Sequence, residues 1–77
     1  MNSTIKSAFG RRLKEARNSL GYTQEEMAHA LGINGARYGK YEIGRSEAPY
    51  EVLIKVANLT DIDLDYLIAG QRGRRGR

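Results

Sequence analysis

Titratable and nucleophilic side chains in this chain of 77 residues are not grouped as catalysis requires. The serines have no histidine partner in their sequence context, because the chain contains one histidine, His29, and no cysteine. Asp61, Asp63 and Asp65 imitate the start of a calcium-binding EF-hand loop, but the turn glycine and the distal glutamate of that loop are missing. Helix capping and solvation explain these aspartates better. The sequence therefore predicts no enzyme, no metal site and no cofactor.

Basic residues carry the remaining chemical signal, because the charges are unevenly placed. Lys and Arg number 13 against 9 Asp and Glu, and four arginines lie in residues 71–77. We expect this Gly- and Arg-rich stretch to be a flexible tail behind a domain of residues 1–70, one that adds nonspecific affinity or only aids solubility. The first segment is basic, through Lys6, Arg11, Arg12, Lys14 and Arg17. The later segment is acidic, through Glu47, Glu51, Asp61, Asp63 and Asp65. This asymmetry favours a polyanionic partner bound from one side, although solvated faces alone explain it more simply.

Size and composition fit one small folded domain. The chain is 40% hydrophobic and 29% charged, which is too apolar for a wholly disordered protein. The absence of cysteine excludes disulfides and fits a reducing compartment. No apolar run approaches the roughly 20 residues that span a bilayer, and no secretory signal is visible. We expect a soluble, cytoplasmic protein with no small-molecule ligand.

Apolar spacing and glycine punctuation predict two helices in the first part of the chain. The first helix has apolar residues on one face and ends at Gly21. Gly10 inside it lowers helix propensity and therefore indicates a close contact. Thr23 and Glu26 form a capping box at the start of the second helix, which ends at Gly32.

Three further helices are predicted after the second. Asn34 caps the third helix, and Gly44 supplies the permissive position behind it. Pro49 suits the first turn of the fourth helix, since that turn needs no N–H donor there. Asp63 caps the fifth helix, which Gly70 closes. With no sustained strand pattern, the sequence predicts an all-α fold of five helices.

Four segments of the chain share one family pattern. They are TQEEMAHALGI at 23–33, YEIG at 41–44, Pro49 followed by Leu53, Val56 and Ala57, and LDYLIAG at 64–70. Together they resemble the repressor and Cro family of lambdoid phages over residues 9–70. The resemblance implies a lambda-repressor-like domain whose second and third helices form a helix-turn-helix. It also implies a transcriptional regulator of the repressor type, which binds double-stranded DNA in a sequence-specific manner with the third helix in the major groove.

The start of the third helix would then contact base edges. That position nominates Asn34, Gly35, Ala36, Arg37 and Lys40. Relatives often carry Gln or Ser where this chain has Gly35 and Ala36, so hydrogen-bonded readout is thinner here. Arg37 is therefore predicted to bond guanine O6 and N7 in bidentate fashion, and Lys40 to contact guanine or phosphate. Asn34 either caps the helix or contacts DNA.

Three residues are predicted to contact phosphates. Thr23 and Gln24 begin the second helix, where unpaired amides and the helix dipole favour an anion, and the family uses the matching Gln in this way. Arg45 follows the third helix beside the DNA backbone. Simple capping by Thr23 and a solvated charge at Arg45 are the structural alternatives.

The resemblance also implies two structural roles. Arg17 and Glu42 would form a partly buried ion pair that ties the third helix to the first; the alternative is two unrelated surface charges. Tyr38 and Tyr41 occupy core positions. Because Tyr38 is bulkier than the usual Val or Ile, we expect its hydroxyl to reach the surface near a phosphate.

One such domain reads only a few base pairs, so we expect a homodimer on a palindromic site, formed off DNA or only on it. Tyr66, Leu67 and Ile68 are the candidate interface residues, with burial inside the monomer the favoured alternative for Leu67.

A second functional hypothesis is a protein-interaction module on the same fold, such as an antitoxin or anti-regulator.

Overall fold

Five helices make up residues 2–70, the part of the chain that the computed structural model describes. They are α1 (Ser3–Leu20), α2 (Gln24–Leu31), α3 (Gly35–Glu42), α4 (Tyr50–Thr60) and α5 (Leu64–Ala69). Residues 2–70 contain no strand, which confirms the all-α prediction for this part of the chain. The tail predicted over 71–77 lies outside the described residues.

Side-chain caps set the start of α2 and α3 where the sequence predicted them. Thr23 Oγ1 accepts from the Glu26 amide at 3.1 Å, and the Glu26 carboxylate accepts from the Thr23 amide at 2.8 Å. Asn34 Oδ1 accepts from the Arg37 amide at 2.7 Å. These bonds satisfy amides that have no partner within their own helix, so each helix begins at a defined residue.

The ends of α4 and the start of α5 differ in detail from the sequence prediction. Pro49 is not in the first turn of α4 but one residue earlier, with an extended ψ of 161°. Its carbonyl accepts from the Val52 and Leu53 amides, so the proline opens the helix from the capping position. Asp61 ends α4 in the left-handed region at φ 58°, a role the sequence did not indicate. Asp63 precedes α5 as predicted, but makes no side-chain capping hydrogen bond.

The core lies between α1 and α3, with α2, α4 and α5 packed around this pair. Its largest buried side chains are Phe9, Leu13, Met27, Leu31, Tyr38, Tyr41, Val56 and Leu67. The two tyrosines both come from α3, an eight-residue helix. Two buried aromatic side chains give this short helix a large apolar area against the core, and that burial holds α3 in place.

Gly10 and Gly44 let the backbones of α1 and α3 touch. A Cβ atom on Gly10 would lie 2.3 Å from the carbonyl oxygen of Glu42, far inside van der Waals contact. A Cβ atom on Gly44 would lie 2.8 Å from Ser7 Cα, and the φ of Gly44 is +78°. The close contact predicted from Gly10 is therefore present, and it joins α1 directly to the end of α3.

Arg12 ties α5 to α1. Its Nη1 donates to the carbonyl oxygens of Leu67 at 3.4 Å and Ile68 at 3.3 Å, at the end of α5 where carbonyls lack partners. Its guanidinium also lies 5.8 Å from the centre of the Tyr66 ring, within cation–π range. Sequence reasoning missed this role, because Arg12 and Leu67 are 55 residues apart.

Candidate nucleic-acid interface

The first turns of α3 present the predicted base-reading residues on one side of the molecule. We call Asn34, Gly35, Ala36, Arg37 and Lys40 the α3 edge. Gly35 is half-buried and the other four are exposed. Asn34, Ala36, Arg37 and Lys40 also line a shallow concavity of about 590 Å³ between α3 and the loop to α4. The structure therefore brings the five predicted residues together.

Two of the eight residues of α3 are glycines, Gly35 on this edge and Gly39 beside it. A Cβ atom on Gly35 would lie 3.8 Å from Glu25 Cγ, and one on Gly39 would lie 3.9 Å from Gln24 Oε1. Both distances are ordinary van der Waals contacts, so a Cβ atom fits at either position. Asn34, Arg37 and Lys40 are therefore the residues of the α3 edge whose side chains can make polar contacts.

Two side chains of the α3 edge are already hydrogen-bonded within the helix. Asn34 caps it through the Arg37 amide, which is one of the two roles foreseen for Asn34. Arg37 Nε donates to the Tyr41 hydroxyl at 2.9 Å, one helical turn further on. The Arg37 guanidinium is thus fastened at one nitrogen to a residue whose ring lies in the core.

A buried carboxylate lies under the other face of α3. Glu42 is 8% exposed and accepts hydrogen bonds from three side chains, which together with it we call the Glu42 cluster. Arg17 Nε donates to Oε2 at 2.6 Å and Arg17 Nη2 to Oε1 at 3.3 Å. Gln24 Nε2 donates to Oε1 at 2.9 Å, and the Tyr38 hydroxyl donates to Oε2. The ion pair that the family resemblance implied joins α1 to α3 and also reaches α2 through Gln24.

The protonation states in the Glu42 cluster follow from these bonds. Burial raises the pKa of Glu42, but the hydrogen bonds from Arg17, Tyr38 and Gln24 outweigh it and hold this pKa below its usual value. The hydrogen bond to Glu42 raises the pKa of Arg17. Burial, and then the bond to Glu42, raise the pKa of Tyr38. Glu42 is therefore a carboxylate and Tyr38 a neutral donor at neutral pH.

The prediction that the Tyr38 hydroxyl reaches the surface is wrong. Tyr38 is 0% exposed, and its hydroxyl is directed to the Glu42 carboxylate. Tyr38 and Glu42 are four residues apart on one helix, a spacing that brings side chains together. The i, i+4 spacing of Tyr38 and Glu42 was therefore the sequence signal for this hydrogen bond. The prediction considered only that tyrosine is longer than Val or Ile, and it overlooked this nearby acceptor.

The three predicted phosphate contacts are all exposed. Thr23 caps α2, as its structural alternative proposed. Gln24 shares the start of α2, and its amide nitrogen is also bonded to Glu42. Arg45 follows α3, where its backbone amide donates to the Lys40 carbonyl oxygen at 2.9 Å. Their contacts with phosphate stay predictions.

Of the three candidate dimer residues, Leu67 is wrongly assigned. Leu67 is 0% exposed and belongs to the monomer core, as the favoured alternative had it, because α5 turns this side chain toward α1 and α4. Tyr66 and Ile68 are half-buried.

Within residues 2–70, no group of three or more His, Cys, Asp or Glu side chains could hold a metal ion. No helix in that range is long and apolar enough to span a bilayer.

Comparison with known proteins identifies the family. The helix-turn-helix family model matches residues 13–67, and the chain belongs to this family. Among its relatives, the SPbeta prophage-derived uncharacterized HTH-type transcriptional regulator YonR of Bacillus subtilis strain 168 is 47% identical over 62 residues. That match covers 80% of this chain and 57% of YonR. The chain spans about half the length of the curated relatives it matches.

Two solved structures share the fold. The restriction-modification controller protein C.AhdI of Aeromonas hydrophila has a TM-score of 0.76 and 29% identity, covering 84% of this chain and 94% of its own. The P22 c2 repressor protein, solved in complex with a synthetic operator, has a TM-score of 0.76 and 22% identity, covering 82% and 96%. The resemblance to phage repressors and the five-helix lambda-repressor-like fold are thus confirmed.

Proposed function

We propose that this chain is a sequence-specific DNA-binding domain of a transcriptional regulator, of the repressor type, which inserts the start of α3 into the major groove. The observation that carries this proposal is the two-sided character of α3. One side is held by the Glu42 cluster and the core tyrosines, while the α3 edge is exposed and presents Arg37 and Lys40. The names of YonR, C.AhdI and the P22 c2 repressor support the same function.

The contacts with DNA divide into two classes in this proposal. Arg37 reads guanine and Lys40 contacts guanine or phosphate, whereas Thr23, Gln24 and Arg45 orient the domain on the phosphate backbone. Ala36 contributes an apolar contact to a thymine methyl group. With glycine at 35 and 39, few base pairs are read per domain, so specificity depends strongly on Arg37.

A homodimer on a palindromic site completes this proposal, since two domains double the number of base pairs read. The recognition helices would then be separated by about 34 Å along the duplex. Tyr66 and Ile68, which are half-buried on α5, are the remaining candidates for the contact between the two copies. Size-exclusion chromatography with light scattering, with and without duplex, measures whether the dimer forms off DNA.

Selection from random duplexes by the full chain tests the function directly. We expect one enriched site with guanine at a defined position, and a preference of about 10³ or more over scrambled duplex at fixed salt. Equal binding to all duplexes would contradict the proposal. It would favour the interaction-module hypothesis or nonspecific binding instead.

Two alanine variants separate base reading from backbone positioning. Arg37→Ala is expected to cost about 1–3 kcal/mol on the selected duplex and to relax the preference at one base pair. Arg45→Ala is the matched control: it should weaken all duplexes alike and lower the log–log salt slope by about 0.9. Fluorescence anisotropy titrations at several salt concentrations measure both. An unchanged sequence profile for Arg37→Ala would exclude Arg37 as the base-reading residue.

A further inference from the structure

Tyr41 joins the core of the domain to the α3 edge. The residue as a whole is 2% exposed, so its ring is fixed by packing. Its hydroxyl nevertheless accepts the hydrogen bond from Arg37 Nε at 2.9 Å, and both residues line the concavity between α3 and the loop to α4. A rigid, buried ring thus carries a polar atom to the place where the Arg37 side chain leaves the helix.

This bond matters because arginine is a flexible side chain. A free arginine loses rotamer freedom when it forms a bidentate contact, and that loss reduces affinity and selectivity. The bond from Nε removes part of that freedom before DNA arrives. It consumes only the Nε–H group, so the N–H groups of the two Nη nitrogens remain the fork that matches guanine O6 and N7.

The two α3 tyrosines use their hydroxyls differently. The Tyr38 hydroxyl donates to the buried Glu42 carboxylate, away from the α3 edge. The Tyr41 hydroxyl accepts from the residue predicted to read guanine. Both rings are buried to a similar degree, at 0% and 2% exposed, so the bonding partner of the hydroxyl is the main difference between them.

We propose that Tyr41 is a specificity-determining positioning residue, which orients the Arg37 guanidinium for guanine recognition. This inference rests on the proposed function and extends it. It assigns part of the sequence selectivity to a residue of the core that itself touches no base. Because Gly35 and Ala36 offer no side-chain hydrogen bond, the orientation of Arg37 has a larger effect on selectivity here than in a domain with several polar base contacts.

Tyr41→Phe tests the proposal, since it keeps the ring and removes the hydroxyl. On the duplex selected by the wild-type chain we expect binding about 3–10-fold weaker, the range that corresponds to the loss of one hydrogen bond. The preference for guanine over the other bases at the Arg37 position should fall by a similar factor. Binding to a scrambled duplex of the same composition should not change.

Tyr38→Phe is the matched control, because it deletes the same atom one turn away. It should lower the thermal midpoint of unfolding and leave the guanine preference as in the wild type. Arg37→Ala combined with Tyr41→Phe is the second control. In the Arg37→Ala background, removal of the Tyr41 hydroxyl should have no further effect on either duplex.

Each contrary result has a defined meaning. If the wild-type chain selects a sequence and Tyr41→Phe keeps the same guanine preference, the role of Tyr41 is overturned and the proposed function stays intact. An equal loss on selected and scrambled duplexes, or a full effect in the Arg37→Ala background, overturns that role as well. A wild-type chain without any selected sequence overturns the proposed function, and the role of Tyr41 with it.

Discussion

The two sides of α3 differ in how completely their side chains are constrained. On the inner side, Glu42 accepts hydrogen bonds from Tyr38, from Arg17 of α1 and from Gln24 of α2, and the helix end touches α1 backbone to backbone. On the outer side, Gly35 of the α3 edge and Gly39 beside it carry no side chain, and Arg37 is held by one hydrogen bond, to the Tyr41 hydroxyl. The inner contacts hold α3 against α1 and α2, and one of them comes from Gln24, which is also a proposed phosphate contact.

The largest expected effect comes from breaking the inner side at its centre. Glu42→Ala should lower the free energy of unfolding by about 3–5 kcal/mol, because it leaves the partly buried Arg17 charge without its partner and leaves Tyr38 and Gln24 without their acceptor. Chemical denaturation followed by circular dichroism measures this. Glu15→Ala, which removes an exposed carboxylate on α1, is the control and should stay within about 0.5 kcal/mol of the wild type.

A loss for Glu42→Ala no larger than that for Glu15→Ala would contradict the comparison. It would mean that packing alone positions α3 and that the Glu42 cluster adds nothing to it. Because a loss of about 3–5 kcal/mol is a large share of the stability of a small domain, the measurement needs low temperature and a stabilising osmolyte.

The same substitution at two glycines should have opposite signs. Gly10→Ala places a methyl group against the Glu42 carbonyl oxygen and is expected to cost about 1–3 kcal/mol of unfolding free energy or more. Gly39→Ala adds a methyl group that makes only an ordinary contact, 3.9 Å from Gln24 Oε1, and should gain about 0.5–1 kcal/mol through helix propensity. Thermal unfolding of the two variants compares them directly. A gain in Gly10→Ala would disprove the backbone contact between α1 and α3.

The smallest expected effect is a pH dependence of stability. Burial raises the pKa of Glu42 while the hydrogen bonds lower it, so the two effects partly cancel. The pKa of Glu42 is lowered in the folded state, so its contribution is present above the pKa of an unfolded glutamate, about 4.3. That contribution is lost as the pH falls through the folded value. Glu42→Gln should therefore lose less stability than the wild type between pH 6 and acid, measured by urea unfolding across that range. Parallel pH curves for the two proteins would exclude the linkage.

Most of the fold could be predicted because its signals are local. Thr23, Glu26 and Asn34 act through caps that span three residues, and Gly21 and Gly32 end their helices in the left-handed region, at φ 73° and 75°. Such features need only neighbouring residues, so sequence reasoning identifies them. Pro49 shows the limit of that reasoning. The sequence placed it in the first turn of α4, but it lies at the capping position one residue earlier, because its carbonyl accepts the first hydrogen bonds of the helix.

The contacts between helices, including those that hold the site, were predicted less completely, because they join distant parts of the chain. Arg12 meets Leu67 across 55 residues and Gln24 meets Glu42 across 18, and no local pattern encodes either contact. The Arg17–Glu42 contact came from family resemblance rather than from spacing. The hydroxyls of Tyr38 and Tyr41 lie between these cases, since each bonds a residue four positions away on its own helix.

The vacant positions at Gly35 and Gly39 have a consequence for how this domain changes over generations. A Cβ atom at either place makes only an ordinary van der Waals contact with α2, 3.8 Å from Glu25 Cγ at position 35 and 3.9 Å from Gln24 Oε1 at position 39. An alanine can therefore be accommodated at both positions without a steric clash. If α3 reads DNA as proposed, single substitutions at these two positions are a route by which the base preference of the domain changes while its core stays the same.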